Sequence, residues 1–180
     1  RIGYGRARGA IEVAVEHLEK AITSDPNHVE ANFQFGEILA TAQKFSEAGD
    51  CLRRAIDNDP GHIAARRSFA KVLFLSGDEH AALETLLAAA EKFPDDVETL
   101  YLLGAGYRRA GAANKAIFHL QTALRLNPKR SDALTHLALA RKSLGRNDAA
   151  KEASGLAIDH DPTNVFARAT YLSLKTESQG

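Results

Sequence analysis

Small and apolar side chains recur along this chain in a fixed order. Ala14, Leu18 and Ala21 are followed by Ala48, Leu52 and Ala55, then by Ala82, Leu86 and Ala89, then by Ala116, Leu120 and Ala123. A fifth set keeps Ala150 and Ala157 but has Ser154 in the leucine place. Steps of four and three put each set on one face of a helix. A second series, Phe35, Phe69, Leu103, Leu137 and Tyr171, is followed directly by a small residue at Gly36, Ala70, Gly104 and Ala138. Gly77, Gly111 and Gly145 fall between the two series, with Gly9 and Gln43 in the same register. Glycine at such a place ends a helix, so the series belong to two successive helices. The pattern predicts helices near 29–42, 45–57, 63–76, 79–92, 97–110, 113–126, 131–144, 147–159 and 165–177, with an incomplete pair before residue 25. Asn27 with Glu30, and Asp95 with Glu98, have capping-box spacing at two of the starts.

All five prolines, at 26, 60, 94, 128 and 162, lie 34 residues apart. A fixed period of this size is the mark of a helical repeat array. Period, large-then-small pair, alanines around a leucine and closing proline together resemble the tetratricopeptide repeat over nearly the whole chain. The resemblance implies an all-α, right-handed superhelical solenoid of antiparallel helix pairs. It divides a single repeat domain, 1–180, into a truncated first unit (1–26), full units (29–62, 63–96, 97–130, 131–164) and a capping helix (165–177). Arg168, Ser173 and Lys175 beside Tyr171 and Leu172 suit the solvated end that a repeat array needs.

Charge narrows the partners. Lys+Arg and Asp+Glu each total 23, so no net field is available to hold nucleic acid or an anionic membrane. Cys51 is the only cysteine, which excludes an internal disulfide and a cysteine-based zinc site. No apolar run approaches a membrane span, and a cytoplasmic compartment is the expectation. The chain has no methionine, and the expectation is a piece of a longer or processed protein.

Catalysis finds no support. The stretch LGAGYRRAG, 103–111, has the look of a phosphate loop, but it lies inside a predicted helix with no strand before it. Gly104 is instead expected to let two helices approach. Gly106 has no repeat-level reason. His28 and His62 stand one repeat apart after Asp-Pro steps and mark turns. His17, His80, His119, His136 and His160 are scattered without metal-ligand spacing and are expected on solvated helix faces. The expectation is no enzyme, no cofactor and no metal.

In the family it resembles, the first helices of successive pairs line a concave groove that takes an extended peptide or a helix. On that basis Phe33, Glu37, Arg67, Lys71, Phe74, Tyr101, Arg108 and Lys142 are the candidate groove residues. Cations with aromatic anchors suit an acidic peptide with apolar side chains. The resemblance thus implies a protein-interaction scaffold or adaptor. Its alternative is a non-catalytic targeting or substrate-recruiting arm of a larger enzyme such as a glycosyl- or sulfotransferase. A third reading, an RNA-binding helical repeat, is opposed by the balanced charge. Phe118 is a second candidate contact, for a partner or for oligomerisation, because Glu16, Asp50, Glu84 and Glu152 occupy its place in the other units. Ser154, Gly155 and Arg141 weaken the last unit by its own repeat rule, so the C-terminal end is expected to open first.

Overall fold

The computed structural model describes residues 2–177, and among them it contains ten helices and no strand. They are α1 (Ile2–Ser24), α2 (Val29–Thr41), α3 (Phe45–Asn58), α4 (Ile63–Ser76), α5 (Glu79–Lys92), α6 (Val97–Arg109), α7 (Ala113–Leu126), α8 (Ser131–Lys142), α9 (Asn147–His160) and α10 (Val165–Glu177). The predicted helix ends are met within two residues throughout. Two compact units form, one up to Thr85 and one from Leu86, so the division falls within α5. In the first unit α2 packs on α1, α3 and α4; in the second α6 pairs with α7, α8 with α9, and α10 closes on both α8 and α9. No helix among the described residues is long and apolar enough to cross a membrane.

The periodic residues take the structural places expected of them, with refinements. Gly77, Gly111 and Gly145 have positive φ, and so does Gln43 at +60°, the non-glycine residue at that register position. Gly36 and Gly104 sit where helices touch. A Cβ on Gly104 would overlap Leu120, coming within 2.8 Å of its Cδ2, and would lie 3.2 Å from the Ala116 carbonyl oxygen. On Gly36 it would meet Leu52 Cγ at 2.7 Å. Each glycine therefore makes room for the leucine of its pair, and the alanine contributes its backbone to the contact.

Two expectations at helix starts are corrected by one residue. His28, not Asn27, caps α2, its Nδ1 accepting from the Ala31 N–H at 3.2 Å. Asp96, not Asp95, caps α6 by accepting from the Thr99 N–H at 2.8 Å. His62 repeats the His28 cap on α4, its Nδ1 accepting from the Ala65 N–H at 3.1 Å, one period later. The incomplete pair before residue 25 is a single helix, α1, which runs unbroken through Gly9.

The cores follow the same logic. In the first unit Leu39, Ala48, Cys51, Leu52 and Val72 are buried together, with Phe33, Phe35, Phe45 and Phe69 packed around them. Burial pushes the Cys51 thiol up, away from the reactive thiolate. In the second unit Leu134, Ala157 and Ala167 close α8, α9 and α10 over Leu124 and Ile158. The solvated end expected of α10 is only partly realised. Val165, Phe166 and Leu172 are exposed on it, because the register that buries Ala167 and Leu174 turns these three outward.

Candidate functional site

Within the second unit α6, α8 and α10 pack side by side, and their facing side chains enclose a pocket of about 380 Å³. Tyr101 and Arg108 come from α6, and Asp132, Thr135, His136 and Leu139 from α8. Phe166 of α10 and Asn164 just before it complete the lining. The first-helix register explains the convergence: Tyr101 and Thr135 are one period apart, as are Asp132 and Phe166.

Two polar clusters hold the walls. The guanidinium of Arg130, just ahead of α8, lies 3.9 Å from the Tyr101 ring centre. It donates to Asp132 through Nε at 2.8 Å and pairs with Glu98 of α6 at 2.7 Å. Burial works against its charge, yet the bonds to Asp132 and Glu98 hold its pKa above the ordinary arginine value. One half-buried cation thus answers two carboxylates and fixes α6 against the start of α8. Burial first, then the nearby Asp132, push the Tyr101 phenol up, so it stays un-ionised at neutral pH.

The second cluster ties α6 to the middle of α8. Nε of Arg108 donates to Nδ1 of His136 at 2.9 Å. Burial, then the charge of Arg108, lower the His136 pKa to about 4, with Asp132 opposing. His136 is therefore a neutral acceptor, and its ring edge meets Tyr101 at a centroid distance of 5.6 Å. Asn164 donates to Thr135 Oγ1 at 3.0 Å and to Ser131 Oγ at 2.8 Å, tying the start of α10 to α8. The pocket thus combines polar groups already bonded to one another with the apolar side chains of Tyr101, Leu139 and Phe166.

The sequence-derived residues are distributed as follows. Tyr101 and Arg108 line this pocket. Lys142 lies farther along α8, donating to Ser173 of α10 at 2.9 Å. Phe33 and Glu37 are on α2 and Arg67, Lys71 and Phe74 on α4, in the other unit. The Phe33 ring is 4.7 Å from that of His62, while Glu37 is exposed beside Ile11, Ile38 and Thr41. Phe118 is 63% exposed on α7, a second helix, outside this pocket. His136, Asn164 and Phe166 are not among the groove residues that the sequence singles out, nor is Arg130 beside Tyr101. His136 is not on a solvated face, and neither is His119, whose ring stacks on Tyr107 at 5.5 Å with Nδ1 buried. Burial, then Lys115, lower the His119 pKa.

Models of the tetratricopeptide repeat match residues 6–63 and 131–164. No curated protein matches the sequence. Among solved structures the chain is similar to MamA, with 22% identity, 87% of this chain and 92% of that one covered, and a TM-score of 0.79. It is also similar to YrrB, described as a protein of this repeat class with an unusual peptide-binding site, at 20% identity over 91% and 84% of the chains, TM-score 0.75. The third, TTC0263 of Thermus thermophilus, is 20% identical over 95% and 93%, TM-score 0.73. At these identities the likeness extends to the fold, an all-α helical-repeat solenoid.

Proposed function

This chain belongs to the tetratricopeptide repeat family, and we propose that it is a non-catalytic scaffold that binds a peptide or helix of a partner protein on its first-helix faces. The observation that carries this reading is the pocket between α6, α8 and α10. Its apolar side chains, Tyr101 with Leu139 and Phe166, stand beside hydrogen-bonding groups already tied to one another. Such a site takes an apolar side chain at lower ordering cost, because the Arg108–His136 and Asn164–Thr135 bonds already hold part of its walls.

Charge sets the second part of the reading. Arg108, held by its bond to His136, is the cation in the pocket lining and favours an acidic residue beside the apolar anchor, with Lys142 a further contact along α8. Phe33, Glu37, Arg67, Lys71 and Phe74 are proposed as contacts of the first-helix face in the other unit.

Calorimetric titration with an acidic peptide bearing one aromatic residue tests the assignment. Tyr101→Ala and Arg108→Glu are each expected to weaken binding by about 1–3 kcal/mol. Arg67→Glu and Lys71→Glu test the first unit in the same assay. Affinity unchanged in Tyr101→Ala and Arg108→Glu would remove the pocket from the binding site.

A further inference from the structure

The polar groups of the pocket between α6, α8 and α10 differ in what they have left to offer a ligand. Both oxygens of Asp132 accept from Arg130, at 2.8 and 3.1 Å. Thr135 Oγ1 donates to the Ser131 carbonyl at 2.8 Å and accepts from Asn164. The Asn164 amide uses both its ends: Nδ2 donates to Thr135 and Ser131, and Oδ1 accepts from the Ala167 N–H at 2.9 Å. These acceptors are committed to holding α8 and α10.

Arg108 and His136 are different. An arginine side chain has no acceptor and keeps its protons, so the 2.9 Å bond from Arg108 Nε makes His136 Nδ1 the acceptor. A neutral imidazole carries one proton, which this bond places on Nε2. Burial, then the Arg108 charge, keep the ring neutral at neutral pH. Among the described residues Nε2 has no hydrogen-bond partner, and unlike His119 Nδ1 it is not sealed from solvent. The terminal guanidinium nitrogens of Arg108 likewise have no partner there. Apart from the Tyr101 hydroxyl, which can donate or accept, the groups left to a ligand are donors.

On the reading that this pocket holds the partner peptide, we propose that His136 is a further specificity-determining residue, its Nε2–H taking a main-chain carbonyl of an extended segment whose acidic side chain meets Arg108. The two ring nitrogens point in widely different directions, so the carboxylate on Arg108 does not also serve Nε2. The second acceptor is a separate group, and a main-chain carbonyl is the one that every residue carries. It is free in an extended segment and already bonded inside a helix. A ligand ammonium or N–H brought to Nε2 or to Arg108 meets only donors and is disfavoured.

Titration calorimetry with the acidic peptide bearing one aromatic residue tests this, each peptide bond being replaced in turn by an ester, whose carbonyl is a weaker acceptor. At one position the ester should weaken binding to the parent about fivefold; in His136→Phe, which binds less tightly throughout, it should matter less than about twofold. His136→Gln keeps an acceptor for Arg108 and an N–H donor, so it should bind within about threefold of the parent and retain the ester effect. In the parent itself the His136 Nε2 proton should move downfield in NMR on peptide binding, and that ester should abolish the movement. A copy of the peptide locked as a helix should bind about fivefold more weakly or worse. If no ester couples to His136, or the helical copy binds equally well, the proposal is overturned, while binding that still depends on Tyr101 keeps the pocket. Binding indifferent to Tyr101→Ala removes pocket and proposal together.

Discussion

Arg108 Nε donates to His136 Nδ1 at 2.9 Å, so the proposed pocket holds one cation fixed by one neutral ring. His136 titrates near 4, below its ordinary value, through burial and then through Arg108. Its unfolded form takes up a proton at higher pH than its folded form. The stability tied to the neutral ring is complete above pH ~6.5 and is lost as pH falls toward 4. Nitrogen-detected NMR of the ring should report an unprotonated Nδ1 at pH 5. Arg108→Gln should move the titration upward. A ring protonated at pH 5 in the parent would refute the buried neutral acceptor.

Glycine substitutions separate close approach from helix propensity. Gly104→Ala places a Cβ against Leu120 and is expected to cost about 1–3 kcal/mol despite the better helix former. Gly155→Ala, where the nearest atom is Tyr171 Cε2 at 3.8 Å, should instead stabilise by about 0.5–1 kcal/mol. Urea midpoints of the two variants should move in opposite directions.

The caps make a sharper test of register. Asp96→Ala removes the acceptor for the Thr99 N–H and should cost about 1 kcal/mol. Asp95→Ala should stay within about 0.5 kcal/mol. On α2 the same contrast is expected between His28→Ala and Asn27→Ala. Equal losses within either pair would contradict the observed caps.

Why are the helix positions so readable in the sequence and the pocket only partly so? Period 34 acts through local physics: Gly77, Gly111 and Gly145 supply positive φ, and Leu52 and Leu120 need Gly36 and Gly104 opposite them. Each requirement lies within one helix pair. The pocket instead depends on α6, α8 and α10 meeting side by side. Tyr101 is legible from register alone, and stepping Asp132 forward one period leads to Phe166. His136 is not legible, since its burial depends on Arg108, Tyr101 and Asp132 surrounding it. Glu98 shares its register place with Glu30 and Asp132, and Arg130 stands where His28, His62 and Asp96 cap their helices, but no repeat rule foretells that the two pair.

The C-terminal end carries the weakest repeat. Ser154 is fully buried in the leucine place, its hydroxyl donating to the Lys151 carbonyl, and so it adds less apolar burial than Leu52, Leu86 or Leu120. Amide exchange is expected to be faster across 147–177 than across 63–126. Equal protection of the two segments would contradict this.

The central claim is that a partner peptide enters between α6, α8 and α10. The most direct measurement is a ¹⁵N–¹H NMR titration of the whole chain with an acidic peptide bearing one aromatic residue. The largest shifts are expected to cluster at Tyr101, Arg108, Thr135, His136, Leu139 and Phe166, and in Tyr101→Ala the shifts elsewhere in the pocket should need about 5- to 150-fold more peptide. Shifts confined to the outward residues of α7 and α9, or none at saturating peptide, would contradict it.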